Sequence, residues 1–182
     1  MLGWRDCHPR RQIADRRFRS IDKRFGVLIP EAELAKAVIQ CVKAGLNETG
    51  GILVGRYTSA HDFAVVTSAS DAPQDSRAGG TWFSRGVAGL QRWLNGLWKS
   101  KAFYLGEWHF HPFALASPSG DDLSEMRSIA TTESYHCPEP VLMIVGGDPK
   151  REWHLKVFVY LAGEGLRELP EVKADGSAHI DS

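Results

Sequence analysis

Apolar positions along the chain switch between two periods. Phe25 to Ile29 is a short apolar run closed by Pro30, which reads as a strand. Leu34, Ala37, Val38, Cys41 and Val42 then recur at helical spacing. Glu31 and Glu33 open that stretch, where acids suit the helix dipole, and Gly45 fits its exit. Gly50–Gly55 and Phe63–Ser68 read as two strands with a turn around Thr58–Asp62. Residues 70–80, rich in Asp, Pro, Ser and Gly, read as a loop. Val87, Leu90, Trp93, Leu94, Leu97 and Trp98 form one stripe of an amphipathic helix, and such a stripe is expected to face the core. Ala102–Phe110 is a strand, Ser119 to about Ser134 a helix, and Val141–Val145 and Trp153–Leu161 the last strands. Strands alternating with helices predict an α/β fold with a mixed sheet.

Composition narrows the picture. The chain has 182 residues, 43% of them hydrophobic and 24% charged, which suits one domain with a real core. The longest purely aliphatic run, Val141–Val145, is far short of the roughly 20 residues that span a bilayer. Lys plus Arg and Asp plus Glu are 22 each, so nucleic acid is not the expected partner. Charge is uneven, however. Residues 1–24 hold Arg5, Arg10, Arg11, Arg16, Arg17, Arg19, Lys23 and Arg24 against Asp6, Asp15 and Asp22, and read as a basic extension. The domain is then expected over 25–162, with a polar tail over 163–182. Cys7, Cys41 and Cys137 are an odd number without close spacing, which predicts neither a disulfide framework nor a cysteine zinc site. With no apolar leader at the start, a cytoplasmic setting is implied.

One short stretch carries chemistry: His109-Phe110-His111-Pro112, then Pro118-Ser119-Gly120-Asp121-Asp122. On a strand, His109 and His111 point to the same side and Phe110 to the other. Ser119 is a good N-cap, which places Asp122 at the third helical position and able to turn back toward the histidines. Two imidazoles and a carboxylate leave a fourth tetrahedral position open, the pattern of a catalytic zinc rather than a structural one. Taken alone, Asp122 is also an ordinary acid at a helix start. Glu48, in Asn47-Glu48-Thr49-Gly50-Gly51-Ile52-Leu53-Val54-Gly55, offers a base at the threshold of a strand, where two glycines permit close approach. Spacing alone does not single it out from a solvated acid.

Glu48-Thr49-Gly50-Gly51-Ile52-Leu53-Val54-Gly55 followed by the His-x-His-Pro and Pro-Ser-x2-Asp set resembles the JAMM (MPN-plus) zinc metalloproteases. Tyr104-Leu105-Gly106-Glu107-Trp108 looks like the bacterial branch, associated with ubiquitin-like conjugation and antiphage signalling. The resemblance covers about residues 25–162. It implies a cytidine-deaminase-like mixed sheet flanked by helices in a single domain, with isopeptidase or peptidase activity. By the same resemblance, His109, His111 and Asp122 match zinc ligands, Glu48 the general base, and Ser119 the residue that steadies the oxyanion. Phe110 departs from the small Ser or Thr common at its position, and Asp121 doubles the acid beside the ligand. Glu107 shares the parity of the two histidines and is either a residue that orients a ligand or an ordinary strand position.

The substrate implied is a ubiquitin-like protein or its conjugate, with companion E1- and E2-like enzymes. A nucleotide-signalling, cyclase-like enzyme attached to its targets is the alternative. A catalytically silent binding module is the alternative of another class, and five intact motif residues speak against it. The segment Asp71–Ser84, with Gly79, Gly80, Trp82 and Phe83, has two readings. It is a place where an extended Gly-Gly tail adds as a strand, or Trp82 and Phe83 plug the core. Neither membrane nor nucleic acid is expected as a partner.

Overall fold

The unbroken aliphatic run at Val141 becomes a strand that is buried on both faces. This strand, β8 (Val141–Gly147), lies parallel to β7 (Phe103–Pro112) and antiparallel to β9 (Trp153–Leu161). An interior strand of this kind needs apolar residues at every position rather than at alternate ones. The computed structural model describes residues 15–172.

The remaining strands are β1 (Arg16–Arg19), β2 (Gly26–Ile29), β3 (Thr49–Tyr57), β4 (Ala64–Ala69), β5 (Arg77–Ala78), β6 (Phe83–Ser84), β10 (Gly165–Leu169) and β11 (Glu171–Val172). Nine of the strands form one mixed sheet in the order β10-β9-β8-β7-β3-β4-β2-β1-β11. The β2–β4 and β7–β8 pairs are parallel, and the others are antiparallel. Strands β5 and β6 make a separate small hairpin within the segment expected to be loop. The helices are α1 (Glu31–Ala44), α2 (Leu90–Trp98) and α3 (Gly120–Thr131), with a short 3-10 turn at Glu133–Tyr135. The expected α/β mixed sheet with flanking helices is therefore the observed one, although α3 ends earlier than Ser134.

Each face of the sheet has its own core. Helix α1 brings Leu34, Ala37, Val38 and Cys41 against Leu53, Leu105, Trp108, Phe110, Met143 and Val145. On the opposite face, Met126 and Ile129 of α3 meet Ile52, Val54, Leu142, Ile144, Phe158 and Tyr160. Alternate residues of each strand feed the two cores, as the strand period requires.

Two expectations need correction. The boundaries at 25 and 162 are too narrow, because β1 pairs with β2 and β11, and β10 pairs with β9. Phe18 is only 1% exposed, so the basic segment contributes to the core. Two of its arginines are engaged within the chain: Arg16 pairs with Glu171, and Arg19 with Asp62 at 2.7 Å. Residues 1–14 and 173–182, including Arg5, Arg10, Arg11 and Cys7, lie outside the described residues. The second correction concerns α2. Its apolar stripe was expected to be core, yet none of its residues is buried. Leu90, Trp93, Leu94 and Leu97 rest on the α3-side core, while Trp98 stays 62% exposed and Val87, just before the helix, 68%. Among the described residues, no helix is long and apolar enough to cross a membrane.

Candidate metal centre

Strand parity assembles the site. On β7, Trp108 and Phe110 enter the α1-side core, so His109 and His111 face the other way, toward α3. Ser119 caps α3: its hydroxyl accepts from the Asp122 amide at 3.1 Å, and its own amide donates to Asp122 Oδ2 at 2.6 Å. This reciprocal capping box fixes the Asp122 carboxylate at the helix start. The result brings His109, His111 and Asp122 together. All three are buried, and one ligand atom from each lies within 4.8 Å of the others. Nδ1 of His109 meets Asp122 Oδ1 directly, and His111 Nε2 lies 3.6 Å from Asp122 Oδ2. The neighbouring Asp121 is exposed, so the helix turns the second acid of the pair inward, as the motif spacing requires.

The three groups are electrostatically coupled to one another. Burial opposes charge on His109, but the carboxylates of Asp122 and Glu107 outweigh it and lift the ring to about 9. Burial likewise opposes charge on Asp122, yet its bonds to His109 and Ser119 hold it at about 2. His111 is lowered by burial, with Asp122 working the other way. Two imidazole nitrogens and one ionised carboxylate oxygen, buried and converging, are a donor set that fits a divalent metal with a position left open.

Glu48 stands half-buried just before β3. The next two residues, Thr49 and Gly50, pair with Phe110 and His109. Its carboxyl is raised above the ordinary value, by burial first and by the Asp122 charge next. A raised carboxylate beside a candidate metal site is what a proton-transferring group requires. Gly50 is needed where it stands: a side chain there would strike the Trp108 carbonyl and come within 2.9 Å of the His109 ring.

The β5–β6 hairpin closes over this corner. The Glu48 amide donates to the Gly79 carbonyl at 2.8 Å. Phe83 is half-buried and packs edge-on against His109, with ring centroids 5.8 Å apart. Trp82 does not plug the core; it is 49% exposed. Three further residues reach the site without a sequence signal. Arg85, just after β6, is buried against Glu107 at 2.7 Å. Tyr104 donates to Glu107 at 2.9 Å. Glu125, raised by burial and by Glu107, flanks the same arginine at 3.8 Å. Tyr104 and Glu107 share a face only because β7 bulges between them. Leu53 pairs with Gly106 and Val54 with Tyr104, so Leu105 is the extra residue. Gly106 takes φ 143° in that bulge, where a side chain would collide with the Val141 backbone.

Comparison with known proteins places the chain in a family. The family described as prokaryotic homologs of the JAB domain matches residues 30–156. A protein of Enterobacter hormaechei subsp. hoffmannii (strain UCI 50) named CD-NTase/cGAS isopeptidase is 43% identical over 163 residues, covering 90% of this chain and 91% of that protein. A protein of Sinorhizobium fredii (strain NBRC 101917 / NGR234) named Probable metalloprotease y4qB is 28% identical over 128 residues, 68% of this chain and 77% of that one. The solution structure of protein DSY2949 from Desulfitobacterium hafniense superposes with a TM-score of 0.57 at 20% identity, covering 77% of this chain and 87% of that chain. That likeness concerns the fold.

Proposed function

The chain belongs to the prokaryotic JAB-domain family, and on that premise we propose that it is a zinc isopeptidase that releases a protein from a covalent conjugate. The observation that carries the reading is the buried His109, His111 and Asp122 cluster with Glu48 beside it. His109, His111 and Asp122 would hold the metal. Two histidines and one carboxylate with an open position suit zinc among the common metals. When bound, zinc supplies a Lewis acid that makes water a usable nucleophile near neutral pH.

The protein's own groups supply the rest. Glu48 takes a proton from the attacking water and returns it to the leaving amine. Its place at the strand threshold, beside the cluster and half open to solvent, serves both steps. The Ser119 hydroxyl accepts from the Asp122 amide, which leaves its O–H free to donate. That donor steadies the negative oxygen that develops as the carbonyl is attacked. Asp122, held by the capping box, keeps the two helical and strand-borne parts of the site in register.

The substrate reading follows from the relatives. A protein 43% identical over most of this chain is named an isopeptidase of CD-NTase/cGAS. This favours a conjugated nucleotide-signalling enzyme over a ubiquitin-like protein, the two conjugates that the sequence left open, in a bacterial antiphage setting. The test is cleavage of two defined conjugates by the zinc-loaded chain. In one, a CD-NTase is joined through its C-terminus to a carrier lysine; in the other, a ubiquitin-like protein is joined in the same way. Release of the CD-NTase with its native C-terminus is expected. Cleavage of the ubiquitin-like conjugate alone would move the substrate to that class, and cleavage of neither would contradict the reading.

A further inference from the structure

Glu107 has a lopsided set of partners. Its Oε1 accepts from Arg85 Nε at 2.7 Å and from the Tyr104 hydroxyl at 2.9 Å, and Arg85 Nη2 lies 2.7 Å from the same oxygen in the ion pair. Its Oε2 receives nothing and is one of the two buried side-chain atoms without a hydrogen-bond partner among the described residues. The residue is fully buried, and a buried carboxylate oxygen calls for a partner. The group that faces it is Nε2 of His109, 3.6 Å away. The other ring nitrogen, Nδ1, is turned to Asp122. Gly50 and Phe83 box the ring from its remaining sides.

We propose that Glu107 is the positioning residue of the metal centre: its Oε2 takes the Nε2–H of His109, which leaves Nδ1 as the ligand nitrogen. Arg85 and Tyr104 are the anchors that aim it, because they occupy the opposite oxygen and prevent the carboxylate from rotating. A ligand histidine whose far nitrogen is fixed by a carboxylate holds one tautomer and one orientation. The inference rests on the reading of His109, His111 and Asp122 as metal ligands. It adds that the hairpin segment carrying Arg85 belongs to the support of that site.

Glu107→Gln is a sharp probe. Arg85 and Tyr104 demand an acceptor, so the glutamine oxygen must face them. Its amide NH2 then faces His109 and replaces an acceptor with a donor. The zinc dissociation constant, measured by chelator competition, is expected to rise about 10- to 100-fold. Tyr104→Phe removes one anchor and leaves Arg85 on Oε1, so a smaller rise than that of Glu107→Gln is expected by the same measure. Nitrogen-15 NMR of the zinc-loaded wild type is expected to show His109 with a protected Nε2–H and zinc on Nδ1, and the variant is expected to lose that signal.

Zinc on Nε2 in the wild type would overturn the proposal without any variant. So would an unchanged zinc dissociation constant in folded Glu107→Gln. If that variant does not fold, Glu107→Met joined to Arg85→Met removes the buried pair as a whole, a change such pairs tolerate, and the same affinity loss is expected. Wild type that binds no zinc would instead overturn the metal-site reading and this proposal together, so the two failures are distinguishable.

Discussion

The two faces of the nine-stranded sheet are built to different ends. Under α1 the contacts are mostly apolar, from Leu34 and Cys41 to Trp108 and Phe110, with Glu33 the buried acid of the helix, accepting from the Ala69 amide at 3.0 Å. The opposite face buries His109, His111, Asp122 and Glu107 among its apolar residues. It also leaves α2 only half seated, above a groove of about 730 Å³ lined by residues such as Leu90, Leu94, Trp98, Phe103 and Tyr104. Both faces share the same strands, so one face supplies rigidity to the chemistry on the other. Buried polar groups cost stability unless every one is paired, and a site of this kind needs such a support.

The sharpest way to separate the faces is to disable the polar one without touching the fold. Glu48→Gln keeps shape and removes the proposed base, and its turnover is expected to fall by about 10² to 10⁴. Zinc content, substrate affinity and thermal midpoint should stay near wild type. Asp122→Asn should behave differently and lower zinc affinity and activity together. Wild-type turnover in Glu48→Gln, measured on one defined conjugate, would move the proton transfer to another group.

The converse change breaks the apolar face. Leu34→Ala on α1 should cost about 2–5 kcal/mol in urea unfolding, because the side chain is buried and the sheet opposite it is rigid. Zinc affinity of the folded fraction should be unchanged. A cost below 1 kcal/mol, on the order of an exposed site, would mean that α1 is not the support described.

A pH experiment sharpens the contrast further. Burial pushes the Cys41 thiol, on the α1 face, up to about 12, and does the same to Cys137 on the other. Both prefer the protonated form in the folded state. Their contribution to stability is full below the ordinary value of 9 and is lost as pH rises from there to about 12. Each should remove about 1.4 kcal/mol between pH 8 and pH 10. Cys41→Ala should flatten its share of that slope; an unaltered slope would show that Cys41 ionises freely in the folded protein.

The smallest effect is expected on α2. Trp98 is largely exposed and meets Phe103 edge-on at 5.4 Å. Trp98→Ala should cost only about 0.5–1 kcal/mol. A loss as large as that of Leu34→Ala would place α2 in the core after all.

These contrasts mark where the sequence was legible. Local period placed β2, α1, β3, β4, β7, β8 and β9. Strand parity put His109 and His111 on one side, and spacing marked Ser119 as the N-cap with Asp122 at the third helical position; the reciprocal bond from the Ser119 amide came from the structure. What escaped depends on long-range pairing. Arg17 pairs with Val172, far away in sequence, so nothing local marks the arginine-rich segment as a strand. The bulge at Leu105 shifts parity and joins Tyr104 to Glu107, which an uninterrupted alternation places on opposite faces. Arg85 enters from a loop and carries no periodic mark. On α2, amphipathicity was visible, but the depth of its seat is set by neighbours rather than by its own residues.

The central claim, that His109, His111 and Asp122 form one zinc site on an independently stable fold, is tested most directly by metal content under native mass spectrometry. The wild-type chain is expected to carry about one zinc. The double variant His109→Ala, His111→Ala is expected to carry none and to remain folded, because the α1-side core does not depend on the metal. Full zinc retention by that double variant would contradict the account.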